Sequence, residues 1–230
     1  MIKVLDHGFV RLVNHMGSDL DVVRAARNSF DAAWRAGTDE GSDTRLLKYL
    51  WNNKHTTPFE TVEFQFEVKA PIFVFRQWYR HRTWTYNEVS ARYTELPEEF
   101  YVPEVDTIGV QSKVNKQARD MTCADGDHIT DRMAEIDMYE DCCREAFGLY
   151  SDLLGRGWPR ELARMCLPLS TYSKMFAKVD LWNLAHFLQL RLHEHAQYEI
   201  RVYAEAIVKL IQPIVPVCVE AMGFTTGSES

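Results

Sequence analysis

The most regular alternation of apolar and polar residues lies between positions 61 and 69. Val62, Phe64, Phe66 and Val68 fall on one face of an extended segment, and polar side chains fall on the other. Successive side chains of a strand point to opposite faces, so this pattern predicts a strand that is buried on one side. Residues 169–179 also favour a strand.

Apolar residues at helical spacing predict helices along much of the remaining chain. Ser18 and Asp21 resemble a capping box and predict a helix that reaches about residue 30. Ser42 is predicted to cap a second helix, and Pro71 suits the first turn of a third that ends near Tyr79. Further helices are expected over residues 131–155, 159–167, 181–192 and 196–212.

The order of these elements predicts an α+β fold. Helices and strands are mixed without a regular βαβ alternation, which disfavours a doubly wound parallel sheet. No internal repeat or linker-like composition divides the chain, so residues 1–230 are expected to form a single domain. Residues 104–130 are mostly polar and nearly free of aromatics, and we expect them to form a long flexible loop.

Composition places the chain among soluble globular proteins, with 46% hydrophobic and 26% charged residues. No apolar run approaches the roughly 20 residues of a membrane span, and the first residues do not resemble a signal peptide. The five cysteines are odd in number and show no Cys-x-x-Cys spacing, which argues against disulfides and a zinc knuckle. A reduced, cytoplasmic protein without a membrane partner is expected.

One basic segment changes this picture. Residues 76–92 contain four arginines, one histidine and a single acidic residue, whereas the whole chain has a formal net charge of −7. A cationic island on an acidic chain indicates a specific anionic ligand. The same segment holds six aromatic or amide side chains, a composition suited to flat heterocycles that carry phosphates.

The spacing within this segment suggests how such a ligand is held. Gln77 and Arg80 would share a face of the third helix, and Glu88, Ser90 and Arg92 would point to one side if their segment is extended. Arginine grips phosphate through two parallel hydrogen bonds, while an amide or carboxylate fixes sugar hydroxyls or a base edge. A solvated basic surface held by salt bridges is the alternative.

Arg191 is the second candidate. Leu181, Leu184 and Leu188 precede it on one helical stripe, and His195 would continue the stripe. A buried guanidinium without a partner is costly, so Arg191 must meet a carboxylate, a carbonyl or a ligand. A structural pair with Glu194 or Glu199 is as consistent with the sequence as a ligand-binding role.

Other chemistry has weaker signals. His186 and His193 lie one heptad apart, but the spacing is not His-Glu-x-x-His, and no metal is predicted. There is no Rossmann fingerprint, Walker loop or Gly-x-Ser-x-Gly motif, and no cysteine has the surroundings of an activated nucleophile. Two rivals remain, a flavodoxin-like electron carrier and a single-stranded nucleic-acid binder that stacks bases on Trp78, Tyr79, Trp84 and Tyr86. The net charge and a pI near 5.6 disfavour the second.

The sequence Arg80-His81-Arg82, followed after seven residues by Ser90, resembles the signature of the flavin-dependent thymidylate synthases. Segments similar to that family recur in family order from about residue 8 to residue 212. They occupy residues 24–30, 55–60, 69–74, 87–93, 163–168 and 190–197.

The resemblance implies mixed helices around a mostly antiparallel sheet and a homotetramer whose FAD sites lie between subunits. It implies reductive methylation of dUMP to dTMP, with methylenetetrahydrofolate as one-carbon donor, NADPH as reductant and FAD as relay and hydride carrier. No cysteine nucleophile takes part in such a reaction, and no nucleic-acid partner is expected.

The resemblance also implies roles for individual residues. Arg191 would activate the pyrimidine. The residues that would bind FAD are Ser29, His55, Thr57, Arg80, His81, Arg82, Glu88, Asp180, His186 and His195. Those that would bind dUMP are Gln77, Trp78, Tyr79, Arg80, Glu88, Val89, Ser90, Ala91, Arg92, Arg164 and Arg191. Asp180 and His186 stand where the family can have asparagine, and an ionised Asp180 has no proton to donate.

Overall fold

A computed structural model describes residues 1–114, 119–120 and 129–224, with only the backbone of residues 129 and 130. The described strands form an antiparallel five-stranded sheet and a separate two-stranded ladder. The order in the larger sheet is β1-β2-β3-β7-β4. The strands are β1 (Ile2–Val4), β2 (Gly8–Met16), β3 (Glu63–Pro71), β4 (Thr85–Glu88), β5 (Val110–Gln111), β6 (Arg119–Asp120) and β7 (Tyr172–Asp180).

The helices lie between and after these strands. They are α1 (Asp19–Asn28), α2 (Glu40–Asn52), α3 (Ile72–Trp78), α4 (Val105–Ile108), α5 (Ile129–Gly155), α6 (Arg160–Ala163), α7 (Leu181–Arg191), α8 (Tyr198–Ile211) and α9 (Pro216–Ala221). Short 3₁₀ turns occupy Ala33–Arg35, Phe59–Thr61 and Arg164–Cys166. The prediction of an α+β fold around an antiparallel sheet is confirmed.

β3 is the central strand and confirms the clearest sequence pattern. It pairs with β2 on one side and β7 on the other, from Glu63 opposite Asp180 to Pro71 opposite Tyr172. Val62, Phe64, Phe66 and Val68 are all buried. Burial of apolar surface stabilises a fold by about 25 cal/mol per Å², so this face of β3 contributes much of the stability of the core.

The predicted helices are confirmed, but two of their caps differ. The side chain of Asp39, not that of Ser42, caps α2 by accepting from the Ser42 backbone N–H at 3.0 Å. The Ser18 hydroxyl donates to the Asp21 carboxylate at 3.0 Å and makes no cap to the backbone of α1. In both places a nearby carboxylate, a stronger acceptor than a hydroxyl, takes the hydrogen bond.

The first two strands were not predicted from the sequence. β2 pairs with β3 through a register shift between Leu12 and Asn14, which breaks the alternation that identifies a strand. Gly8 opens β2 at a crowded point, where an added Cβ would lie 2.0 Å from the Tyr203 hydroxyl. A larger residue would therefore separate α8 from the sheet.

Most buried apolar residues of the described chain fall into two clusters. The larger includes β3, α7 and α8, with Trp78, Phe187 and Tyr203 fully buried. The smaller lies under α5 and consists of Phe100, Cys143, Phe147, Tyr150 and Ala163. Its α5 members, Cys143, Phe147 and Tyr150, confirm most of the apolar stripe that helical spacing predicts along residues 131–155.

Residues 104–130 contain more structure than the predicted loop. α4 begins at Val105, and β5 pairs with β6 through Val110–Asp120 and Gln111–Arg119. Arg119 ties this segment to α8 by an ion pair with Glu199. The buried Glu199 carboxylate thus orders part of this polar segment through Arg119, and composition alone does not reveal such an ion pair. Residues 115–118 and 121–128 lie outside the described residues. None of the described helices has the length and apolar character of a membrane span.

Candidate active site

The arginine-rich segment begins where α3 ends. Pro71 precedes the first helical residue, and the turn after Trp78 directs His81 inward while Arg80 and Arg82 stay exposed. His81 is 7% exposed, and its ring lies 4.9 Å from the ring of Phe187 on α7. The Tyr86 hydroxyl donates to the carbonyls of Trp78 at 3.0 Å and His81 at 2.8 Å. This turn is therefore held against α7 and β4.

Arg191, the last residue of α7, meets this turn. Its Nε donates to His81 Nε2 at 3.0 Å, and its Nη2 donates to the Gln77 carbonyl at 3.3 Å. Neither Glu194 nor Glu199 pairs with it, and it forms no ion pair with any carboxylate that the structure describes. The structural alternative is wrong in the form in which it was stated. A half-buried guanidinium is left with neutral acceptors only.

The His81 imidazole stays neutral under ordinary conditions. Burial, the Arg191 charge and His186 together lower the pKa of His81 to about 4. Because Nε2 accepts from Arg191, the proton of the neutral ring is on Nδ1. Burial also lowers the pKa of Arg191, but a guanidinium remains protonated in proteins. The charge of Arg191 is consequently not compensated by its neighbours.

Glu88 approaches the same region from β4. The Tyr79 hydroxyl donates to Glu88 Oε2 at 2.6 Å, and burial together with this carboxylate raises the pKa of Tyr79. The expected extended segment ends soon afterwards, because the backbone N–H groups of Tyr93 and Thr94 bond to the Ser90 carbonyl. The shared face proposed for Glu88, Ser90 and Arg92 is therefore wrong, since the chain turns at Ser90.

Arg92 and Arg164 form a second group. Arg92 Nη2 lies 3.1 Å from Glu161 Oε2, and Arg164 Nε donates to the Glu161 carbonyl at 3.4 Å. Arg160 lies four residues before Arg164 and pairs with Glu95 at 3.3 Å, which offsets the repulsion between two arginines at this helical spacing. None of the contacts among the described residues joins this group to Arg191. Among the described residues, Arg92 and Arg164 are therefore linked through Glu161, and Arg191 is linked to His81 and Gln77.

The other predicted FAD residues are spread along α7 and beyond it. His186 lies on α7, with its ring 6.3 Å from that of His81. Asp180 caps the start of α7 by accepting from the Asn183 backbone and side chain at 2.9 and 2.6 Å. Ser29, His55, Thr57 and His195 are exposed. His55 lies against Tyr49, and His195 lies against His193. In this chain Asp180 thus acts as an acceptor, as its chemistry requires.

The aromatic residues of the basic segment mostly belong to the core. Trp78 is fully buried and Trp84 is 5% exposed. Trp78 stacks on Phe187 at 4.9 Å, and Trp84 on Tyr86 at 6.2 Å. Trp78 and Ala91, two of the residues predicted to bind dUMP, are thus both buried. Buried rings offer no platform for stacked bases, which weighs against the single-stranded nucleic-acid binder.

A hydrogen-bonded network beside Gln77 was missed by the sequence analysis. The Gln77 side chain donates to Gln197, Gln197 donates to Glu199 at 2.8 Å, and Arg119 donates to both oxygens of Glu199 at 2.6 Å. Glu199 is 2% exposed. Its position on the same helical stripe as Tyr203 and Ile207 indicates burial and would have identified it.

Comparison with known proteins gives this geometry a family. The sequence model of the thymidylate synthase complementing proteins matches residues 11–217. The chain belongs to that family. A flavin-dependent thymidylate synthase of Ehrlichia ruminantium is 44% identical over 239 residues, which cover 99% of this chain and 77% of the relative. One from Thermus thermophilus is 47% identical over 215 residues, covering 94% and 75%.

Solved structures show the same fold. A UMP/dUMP methylase, PolB of Streptomyces cacaoi, bound with 5-Br dUMP, is 36% identical, with a TM-score of 0.82 and 97% of each chain covered. The resemblance to flavin-dependent thymidylate synthases and the expectation of an enzyme are therefore confirmed.

Proposed function

We propose that this protein converts dUMP to dTMP by reductive methylation, with methylenetetrahydrofolate as one-carbon donor and NADPH as reductant. The observation that carries the proposal is the Arg191 guanidinium, held by His81 and the Gln77 carbonyl without a described carboxylate. Such a cation stabilises negative charge that develops on a bound pyrimidine. The relatives and the methylase bound with 5-Br dUMP support this choice of substrate.

Arg191 is proposed to activate the pyrimidine by electrostatic preorganisation. Two hydrogen bonds fix the guanidinium before substrate arrives, so no reorganisation is needed when charge develops at the N3–carbonyl edge of the ring. The neutral His81 ring holds Arg191 without reducing its charge, because its Nε2 accepts through a lone pair. One fixed donor of this kind lowers a barrier by roughly 2.7–4 kcal/mol.

The remaining residues are proposed to bind the phosphate and the sugar. Arg92 and Arg164 lie beside one another at Glu161 and suit the 5′-phosphate. Glu88 and Gln77 suit the sugar and base, together with Ser90. Exposed apolar side chains near Arg164, such as Met165 and Leu169, suit contact with another chain, and we propose that active sites are shared between subunits of a homotetramer.

The donor set fits FAD. Arg80 and Arg82 are exposed and form no ion pair with a described carboxylate, so both can meet the diphosphate. His81 and His186 would contact the remainder of the cofactor, with Ser29, His55, Thr57, Asp180 and His195 from other elements. The bound flavin supplies the redox chemistry that amino-acid side chains lack. The protein residues bind, orient and polarise.

Two of the described cysteines, Cys143 and Cys218, are unsuited to a covalent thiolate mechanism. Burial and the nearby Asp19 raise the pKa of Cys218 far above its ordinary value. The Cys143 thiol is buried against the Ser170 hydroxyl at 3.8 Å. A thiol becomes nucleophilic as its thiolate, so Cys218 is inert at neutral pH, and Cys143 is kept from a substrate by its burial. We therefore expect single Cys→Ala variants to keep turnover.

The deciding experiment mixes purified protein with dUMP, methylenetetrahydrofolate and NADPH, with and without added FAD, and detects dTMP by chromatography. We expect a yellow protein that forms dTMP and needs all three substrates. A flavin-loaded protein that forms no dTMP would overturn the proposal. UMP belongs in the same assay, because the Streptomyces cacaoi methylase was also solved with 5-Br UMP. 5-Methyl-UMP as the main product would favour ribonucleotide methylation.

A further inference from the structure

Glu199 is a buried carboxylate for which the proposed reaction has no direct use. It accepts from Arg119 through both oxygens, from Gln197 at 2.8 Å and from the Tyr101 hydroxyl at 3.3 Å. Burying a charge costs several kcal/mol unless it is paired and hydrogen-bonded, and these three partners meet that need. The arrangement is therefore built around the charge.

The charge of Glu199 determines the orientation of two side-chain amides, first that of Gln197 and, through it, that of Gln77. An ionised carboxylate only accepts hydrogen bonds, so Gln197 must present its Nε2 to Glu199. The Oε1 of Gln197 then faces Gln77, and Gln77 must present its Nε2 in turn. The Gln77 Oε1 is left without a hydrogen-bond partner among the described residues, so it remains an acceptor for a ligand.

Gln77 also connects this network to the activating residue. Its backbone carbonyl accepts from Arg191 Nη2 at 3.3 Å, and its side chain is half-buried beside the same turn. A fixed amide at this point can distinguish a donor from an acceptor on the substrate. An amide that is able to rotate cannot make that distinction.

We propose that Glu199 is a positioning and specificity-determining residue, which acts through Gln197 to hold Gln77 with its Oε1 towards a hydrogen-bond donor on the bound nucleotide. This inference rests on the proposed function. The donor is a sugar hydroxyl or the imide N–H of the uracil. Glu199 itself does not touch the substrate.

The first test is Glu199→Gln. Arg119 would hold the new Oε1, so the new amide group would donate to Gln197, and both following amides would rotate to match. Gln77 would then direct its Nε2 towards the nucleotide group that is itself a donor, and no hydrogen bond could form between them. Loss of one hydrogen bond predicts a Kd for dUMP about tenfold higher, with kcat lowered less than about threefold. Flavin absorbance should stay the same.

The double variant Glu199→Gln/Gln197→Glu separates orientation from stability. The new carboxylate at position 197 accepts directly from Gln77 Nε2 and from the amide at position 199, so Gln77 regains its orientation. We expect dUMP affinity within about threefold of the native protein, although thermal stability stays lower because Arg119 has lost its ion pair. A purely structural role for Glu199 predicts no such rescue.

Two further variants complete the design. Tyr101→Phe removes a hydrogen bond to Glu199 that does not orient Gln197, so it should leave the Kd for dUMP unchanged. Gln197→Met breaks the connection while keeping the Arg119–Glu199 pair, and it should weaken dUMP binding even if Glu199→Gln does not fold. Binding of the 2′,3′-dideoxy analogue of dUMP identifies the donor. If the native protein and the Glu199→Gln variant bind this analogue with the same Kd, the donor is the sugar hydroxyl. If the variant still binds it more weakly, the donor is the imide N–H.

Native affinity of Gln197→Met for dUMP, or no rescue in a folded double variant, would overturn the inference while leaving the proposed function intact. Failure of the native protein itself to bind dUMP would instead overturn the proposed function. The two failures are distinguished because dUMP binding by the native protein is measured first.

Discussion

At the scale of single residues, the partners of the arginines carry most of the functional information. Arg92 and Arg119 meet carboxylates, whereas Arg191 meets only His81 and a carbonyl among the described residues. The sequence placed Arg191 on an apolar stripe but left its partner open. Helical spacing gives the face of a helix, but it does not show which residue of a distant turn meets that face.

We expect Arg191→Ala to keep the fold and the flavin but to lower dTMP formation about 10²–10³-fold, because a fixed donor to developing charge is lost. Single-turnover assays at saturating dUMP measure this effect. Arg201→Ala is the matched control, since Arg201 lies beyond the site and donates to the Glu194 carbonyl. Native turnover in the Arg191 variant would remove this residue from the mechanism.

His81 should make stability depend on pH. Its pKa is lowered to about 4 in the folded state, against about 6.5 when unfolded. The unfolded chain therefore binds the proton more readily, and the contribution is complete above pH 6.5. As pH falls from 6.5 through 4, we expect up to about 3 kcal/mol of unfolding free energy to be lost.

Urea titrations across this pH range measure the loss from His81. The His81→Gln variant, which has no titrating ring, is the comparison. A slope between pH 6.5 and 4 that is the same in both proteins would assign the effect to other groups.

At the scale of elements, alternation identified β3 and helical spacing identified α5, α7 and α8. Both patterns reflect burial on one side, which sequence reports directly. The sequence analysis missed β2, because its register shift interrupts the alternation, and misplaced the cap of α2, because Asp39 competes with Ser42. Competition between neighbouring acceptors depends on geometry that the sequence order does not contain.

Asp180 links element stability to the site, since it caps the helix that ends at Arg191. Asp180→Ala should lower the free energy of unfolding by about 1 kcal/mol through loss of the α7 cap. Asp180→Asn keeps a capping oxygen and should cost only a few tenths of that amount. Chemical denaturation compares the two. Equal losses in both variants would mean that the carboxylate charge, rather than the cap, stabilises the helix.

At the scale of the whole molecule, the family resemblance supplied the proposed set of site residues, because periodicity reports which face of an element is buried and does not indicate which ligand it meets. The structure holds His81 and Arg191 together, and it links Arg92 and Arg164 through Glu161. The proposed sharing of sites between subunits cannot be read from the sequence of one chain, because that sequence does not show how copies combine. Apolar side chains near Arg164 remain exposed, namely Leu149, Trp158, Leu162, Met165 and Leu169.

We expect this apolar surface to be covered by another copy of the chain. Light scattering should give about four times the chain mass of 26.8 kDa. Met165→Glu combined with Leu169→Glu should shift the mass towards smaller species and lower dTMP formation together. Phe30→Glu, at an exposed position on another part of the chain, is the control. An unchanged mass in the double variant would place the contact elsewhere.

The division of the apolar core into two clusters has a consequence for exchange of backbone amides with solvent. A small cluster opens at lower free energy than a large one, so amides in α5 should exchange before those of β3. Arg164 lies next to Ala163 of the small cluster, whereas Arg191 follows the large one. A nucleotide that binds both Arg164 and Arg191 would therefore connect the less stable small cluster to the more stable large cluster. Its binding should slow amide exchange in α5.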